Sequence, residues 1–311
     1  MKTIHYQKLP KSVTASIVTV GNFDGIHRGH ELLITEVVKQ AKAANAASII
    51  VTFDPHTRSV VQPGAMQPVL STLEEKAFLL TPYGVDFLAY IPFDDTFAAL
   101  TPMEFVENVL KKELRATGLV LGEGHTFGNQ KAGNKKFLQS DMGRNHITTF
   151  AISSLSQQNT VVSSTEIRKR LMDGDVREAV QLLGHPYLVS GKRVSGLKKG
   201  SQMGFPTLNF LRPSINKVLP PPGVYAAMLD FKGTKRPGAF YFGNCPTFDG
   251  RDFHCEFHAL EFMTEVPADG EVGHVWVHNM VRKDVMFSSQ EKLVEQMKKD
   301  IAEINNFFAG E

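Results

Sequence analysis

Apolar positions along the chain follow two regimes. Up to about residue 185, short apolar runs alternate with segments whose apolar residues recur every three or four positions. Runs at 17–20, 47–53, 87–91, 118–122 and 147–152 read as buried strands. Helical spacing lies between them at 31–41, 73–80 and 102–110, with Pro102 suited to a first helical turn. Strands alternating with helices predict a parallel sheet with right-handed crossovers, which binds ligands beyond the carboxyl ends of its strands. A last helix, 174–183, is ended by Gly184 and Pro186.

Beyond it the pattern becomes short β-type runs punctuated by Gly and Pro, at 187–190, 223–229, 238–242, 254–262 and 273–278. Regularly spaced short strands predict a small antiparallel barrel, closed by a helix at 289–301. At 311 residues the chain is long for one domain. The fold expected is α/β: a Rossmann-like domain over 1–185, then an antiparallel β-barrel domain over 186–311.

Composition narrows the class only slightly. The chain is 42% hydrophobic and 21% charged, an ordinary globular mixture. A net charge of +2 gives no argument for nucleic acid or membrane as a partner. Two cysteines, Cys245 and Cys255, are too few for a disulfide framework and read as structural thiols. No apolar run is long enough for a signal peptide or a membrane span, so a cytoplasmic protein is expected.

Chemistry concentrates at the exit of the first strand, Gly21-Asn22-Phe23-Asp24-Gly25-Ile26-His27-Arg28-Gly29-His30. A strand, a glycine-bearing turn and a helix aim backbone N–H groups and a helix dipole at a ligand above the sheet, usually a phosphate. His27 and His30 can donate to phosphate oxygens, and Gly29 leaves room for close approach. Zinc would want further ligands at set spacings, and none appear nearby. A second phosphate signal is Ser163-Ser164-Thr165-Glu166-Ile167-Arg168, hydroxyls capping a helix with a planar cation one turn on. In the barrel half, Gly196 to Asn209 carries three glycines, two lysines and Pro206-Thr207-Leu208-Asn209. Its glycines suit phosphate contact, and Thr207 and Asn209 are hard oxygen donors suited to Mg²⁺. The Gly-Lys-Ser/Thr of a Walker loop is absent. Glu256 interrupts an apolar strand, where it is either a costly buried carboxylate or an outward-facing residue.

The first run resembles the signature of the nucleotidyltransferase superfamily. In its longer form it resembles the prokaryotic bifunctional riboflavin kinase/FMN adenylyltransferases, also called FAD synthetases. That resemblance spans nearly the whole chain. It implies an ATP site in the first domain at Gly21, Phe23, Asp24, His27, Gly29, His30, Ser163, Ser164, Thr165 and Arg168. It implies flavin contacts at Phe53 and Phe127. The family's acidic or amide residue and following aromatic are replaced here by Gly124 and His125. In the barrel, Gly204-Phe205-Pro206-Thr207-Leu208-Asn209 resembles the riboflavin kinase motif. ATP contacts at Gly200, Gly204 and Pro206, Mg²⁺ at Thr207 and Asn209, a catalytic Glu256 and a flavin-proximal Arg282 follow from it. Tyr241 stands where an asparagine is frequent. The activity implied is phosphorylation of riboflavin to FMN and adenylylation of FMN to FAD, with ATP as co-substrate. Weak self-association fits such a protein. The alternatives are an adenylyltransferase whose barrel only binds flavin, and a non-catalytic flavin sensor.

Overall fold

Each apolar run of the first half forms a strand of one parallel sheet in the computed structural model. β1 (Lys2–His5), β2 (Ser16–Val20), β3 (Ala47–Asp54), β4 (Phe87–Pro92), β5 (Ala116–Gly122) and β6 (Thr148–Ile152) pair in the order β1-β4-β3-β2-β5-β6, every neighbour parallel. The structure describes the chain except residues 58–59, 61–67, 123–125, 130–131, 135, 138–139, 141–146, 154–155, 158–159, 197–198, 214–215, 245–252, 262, 264 and 311. Gly124, His125 and Cys245 therefore lie outside the described residues.

From β2 the chain builds outward through β3 and β4 on one side and through β5 and β6 on the other. The order reverses between β2 and β5, so the carboxyl end of β2 is the switch point where such sheets hold ligands. All five residues of β2 are buried. Val18, Val20, Ile49, Val51, Ala89 and Leu119 form the heart of the core on one face. Helix α1 (Arg28–Ala43) packs on β2, β3 and β5 through Ile34, Val37 and Ala41. Helix α2 (Leu73–Leu80) opens with a capping box between Thr72 and Glu75. The pattern at 102–110 is expected to be α-helical. It is helical only over Pro102–Glu104 and continues as π-type turns over Phe105–Glu113. The wider winding, with Leu114 N–H reaching Val109 O at 3.0 Å, keeps Phe105, Leu110 and Leu114 on the buried side.

A short hairpin, β7 (Ser156–Gln157) and β8 (Thr160–Val161), leads into helix α3 (Ser164–Asp173). The chain divides into two compact units, Met1–Ser164 and Thr165–Glu311. The sequence places the joint at 185/186, twenty-one residues later. Helix α4 (Val176–Leu183) explains the difference, because it buries Val176, Ala179, Leu182 and Leu183 and packs on barrel strands.

The second unit is a closed antiparallel barrel. β9 (Tyr187–Val194), β10 (Leu208–Phe210), β11 (Gly223–Phe231), β12 (Thr234–Gly243), β13 (His254–Ala259) and β14 (Val272–Lys283) pair in the order β10-β13-β12-β11-β14-β9, and β10 pairs back to β9. β11 is buried on both faces. Tyr225 and Leu229 are fully buried, while Val224 and Ala226 form a separate cluster with Ile304 of helix α5 (Gln290–Ala309). Arg282 fastens that helix: its Nε donates to both oxygens of Asp300 at 3.0 and 2.9 Å, and Gln296 Nε2 adds a bond of 2.8 Å. Asp300→Ala strands a largely buried guanidinium and is expected to lower unfolding free energy by about 3 kcal/mol. Urea denaturation of both proteins checks this; an unchanged midpoint contradicts it.

Candidate functional sites at the β2 exit and on the barrel

The backbone leaves β2 through a turn that few residues tolerate. Phe23, Gly25 and Ile26 take φ of 44°, 85° and 43°. The turn is fastened by the buried carboxylate of Asp24, whose Oδ1 accepts from the N–H groups of Leu70 (2.8 Å) and Ser71 (3.0 Å). Gly25 N–H donates to Ser71 Oγ at 2.8 Å. Asp24 therefore holds its own turn to the loop before α2.

His27 is the N-cap of α1, its side chain making no cap bond, and its ring stacks on that of His30 with centroids 3.6 Å apart and 17° between planes. Phe23 packs against His30 at 4.9 Å. A Cβ on Gly29 would meet the His27 ring at 3.2 Å, and one on Gly21 would meet Phe23 at 3.3 Å. A side chain at either position would press on these rings. Two stacked imidazoles cannot both be charged at low cost. Desolvation, then His27 and Lys76, push the His30 pKa well below the usual imidazole value.

The later serine segment meets this turn. Ser164 Oγ donates to the carbonyl of Asp24 at 2.9 Å, and the Val162 carbonyl lies 3.8 Å from where a Gly29 Cβ would be. Ser163 is half-buried beside them in sequence. Thr165 is exposed and Arg168 is buried on the next turn of α3, within the second unit.

Lys76 is a group that the sequence reading missed. It is buried on α2, and its Nζ donates to Thr52 Oγ1 at 3.1 Å. Burial lowers its pKa against the opposing pull of Asp24 and Asp54. The signal was available: Lys76 occupies the same stripe as Leu73 and Leu80, where an apolar residue belongs.

The aromatic residues expected at flavin divide. Phe53 stands at the end of β3, packing edge-on to Phe93 at 5.2 Å and to Phe97 at 6.2 Å. Phe127 is buried in the core beside Phe105 at 5.5 Å, its N–H and C=O both paired with Gly133. Arg282 is committed to Asp300. A cleft of about 660 Å³ lies beside it, lined among others by Asp175, Arg177, Gln181 and Asn279.

In the barrel, register sets the second constellation. Asn209 of β10 pairs opposite Glu256 of β13, which pairs opposite Tyr241 of β12. Cys255 and Phe257 point inward and are buried, so Glu256 takes the other face and is half-buried. The carboxylate is not stranded: Thr207 Oγ donates to its Oε2 at 3.0 Å, and His254 Nδ1 lies 3.8 Å from Oε1. Tyr241 OH donates to Asp284 at 2.9 Å. Upstream, Gly204 has φ 85° with open space beside it, and Gly200 lies directly under the Phe205 carbonyl. His258 Nδ1 donates to the exposed Pro206 carbonyl at 2.8 Å. Gly196 passes against the Asn209 amide, leaving no room for a side chain.

A parallel sheet with a histidine turn at its switch point, and a closed barrel carrying a hydroxyl–carboxylate pair, define a two-unit transferase architecture. A family model described as FAD synthetase matches residues 9–166, and one described as riboflavin kinase matches residues 183–308. Bifunctional riboflavin kinase/FMN adenylyltransferases from Buchnera aphidicola (Schizaphis graminum) and Escherichia coli K12 are 30% and 31% identical to it. The first alignment covers 96% of each chain, the second 94% of this chain and 92% of the relative. A solved structure described as a macrolide-efflux protein from Streptococcus pneumoniae superposes with a TM-score of 0.81 at 27% identity, over 97% of each chain. Among the described residues no helix is long and apolar enough to cross a membrane. The chain belongs to the bifunctional riboflavin kinase/FMN adenylyltransferase family.

With its folded pKa depressed, His30 adds stability that is complete above the unfolded imidazole value of about 6.5 and fades as pH falls toward the folded value. Melting temperature followed between pH 7.5 and 5 is expected to fall more steeply in the wild type than in His30→Gln. Parallel curves would contradict it.

Proposed function

We propose that the first unit carries adenylyl transfer and the barrel carries the kinase step. The protein phosphorylates riboflavin to FMN and adenylylates FMN to FAD. The observation that carries the first assignment is the Ser164–Asp24 hydrogen bond, which brings the helix mouth onto the histidine turn.

In adenylyl transfer a phosphate oxygen of FMN attacks the α-phosphorus of ATP, and the bond to pyrophosphate breaks. The nucleophile is already an anion, so no base is required. His27, His30 and the N–H groups of the turn donate to phosphate oxygens, with Ser163 and Ser164 at the helix mouth. Gly21 and Gly29 keep the approach clear, and Phe23 backs the His30 ring. Roles for Thr165 and Arg168 at the phosphates rest on the sequence motif. Alignment of the reacting groups can contribute about 7–11 kcal/mol, and preorganised donors add to it. Phe53 is the better candidate for flavin stacking, because Phe127 is part of the core.

In the kinase step the ribityl hydroxyl of riboflavin attacks the γ-phosphorus, its proton passes to Glu256, and ADP leaves. Glu256 Oε2 is fixed by Thr207, and Oε1, 3.8 Å from His254 Nδ1, is the oxygen assigned to take the proton. The donor set suits Mg²⁺ brought in with ATP: the Thr207 hydroxyl gives its hydrogen to Glu256 and keeps its lone pairs, and Asn209 stands on the same face. When bound, the ion neutralises charge on the phosphates. Gly200, Gly204 and Pro206 form the backbone that faces the nucleotide. Arg282 steadies β14 and α5 rather than meeting flavin directly. We place the reactions in the cytoplasm, without nucleic-acid or membrane partners.

Protein incubated with riboflavin, ATP and Mg²⁺ is expected to yield both FMN and FAD when the flavins are separated. Glu256→Gln is expected to lower FMN formation by about 100-fold or more while still converting supplied FMN to FAD. The double variant His27→Ala/His30→Ala is expected to do the reverse. FMN formation undiminished in Glu256→Gln would make the barrel a binding module; tight FMN binding without FAD in the wild type would make the first unit a sensor.

A further inference from the structure

Lys76 is a buried cation with an uncharged partner. Its Nζ has three donors, and among the described residues its one hydrogen bond goes to Thr52 Oγ1 at 3.1 Å. Thr52 in turn donates to the Asn22 carbonyl at 2.9 Å, inside the β2 exit turn. The lysine is 4% exposed and lies on the α2 stripe with Leu79 and Leu80, which a methionine would fill at lower cost. Asp24 Oδ1 is held by Leu70 and Ser71, while the Lys76 ammonium donates to the Thr52 hydroxyl and feels the pull of Asp24 and Asp54. The charged groups that act on the pair Lys76–His30 are His27 and Asp24 from the turn and Asp54 from β3. On α2 itself, Glu75 is turned back to cap Thr72.

We propose that Lys76 is a positioning residue for adenylyl transfer: through Thr52 and Asn22 it holds the turn, and its ammonium biases the site toward a triphosphate. This rests on assigning adenylyl transfer to the first unit. After burial and His27, the Lys76 charge also opposes protonation of His30, so that imidazole stays neutral to lower pH.

The full-length protein tests this with Lys76→Met, Lys76→Gln and Lys76→Arg, each assayed for FAD formation from FMN and ATP across pH 5–9 and for FMN formation from riboflavin. Lys76→Gln keeps a donor for Thr52 and loses the charge. Expected are a loss of 30-fold or more in kcat/KM for FAD formation in the Met and Gln variants, with the acid limb moved to higher pH. Partial recovery is expected in Lys76→Arg, and FMN formation within twofold of wild type in all three. Rates within threefold of wild type with an unmoved acid limb would overturn the proposal. So would equal loss of both activities, which would mark a purely structural lysine. Wild-type protein that makes no FAD from FMN would instead sink the adenylyltransferase assignment on which it rests.

Discussion

Phe23 and Ile26 adopt backbone conformations that side-chain-bearing residues avoid, at about 1–3 kcal/mol each, and the histidine turn exists only because its surroundings enforce them. The enforcing group is the Asp24 carboxylate. It is 1% exposed and accepts two backbone N–H bonds from Leu70 and Ser71, which anchors the turn to the loop before α2. Its main-chain carbonyl takes the Ser164 hydroxyl, so one residue ties strand exit, α2 and the helix mouth together. Asn22 adds a fourth tie through Thr52 and Thr57. The stacked imidazoles follow as a consequence: with the backbone fixed and Gly29 lacking a Cβ, the two rings have one common space to occupy.

The barrel reaches a comparable end by a different physical route. No strained turn presents Glu256; strand alternation does. Cys255 and Phe257 go inward, Glu256 goes outward, and register sets Asn209 and Tyr241 beside it. The Thr207 hydroxyl then satisfies one carboxylate oxygen and His254 lies 3.8 Å from the other, so a half-buried charge is tolerated. The close passage of Gly196 past Asn209, and the Gly200 turn under Phe205, fix the loop around that pair.

Periodicity made both architectures legible. The buried runs of β2 and β3 and the α2 boundaries at Leu73 and Leu80 were readable because long or strongly apolar segments leave little choice. β1 and β10 were not, since four and three residues carry no period, and only pairing with β4 or β13 makes them strands. The histidines, serines, Thr207 and Glu256 were readable from residue type and spacing. Their supports were not. The Asp24 carboxylate bonds to backbone 46 and 47 residues away, which no local pattern encodes. The Arg282–Asp300 pair likewise exists only once the fold brings β14 and α5 together. The π winding after Glu104 is a packing outcome, invisible to a helical pattern alone.

The distribution of carboxylates between the two units follows from the nucleophiles. A ribityl hydroxyl must lose a proton to attack phosphorus, so the barrel needs a base, the role proposed for Glu256. An FMN phosphate is already ionised, and a carboxylate facing it would repel both it and the triphosphate. At the first site the Asp24 carboxylate is buried and accepts backbone N–H groups, while the turn also carries two stacked imidazoles and a buried ammonium bonded to Thr52. The same co-substrate is therefore cut at the α-phosphorus in one unit and at the γ-phosphorus in the other. The two sites need opposite electrostatics, which a single pocket could not supply.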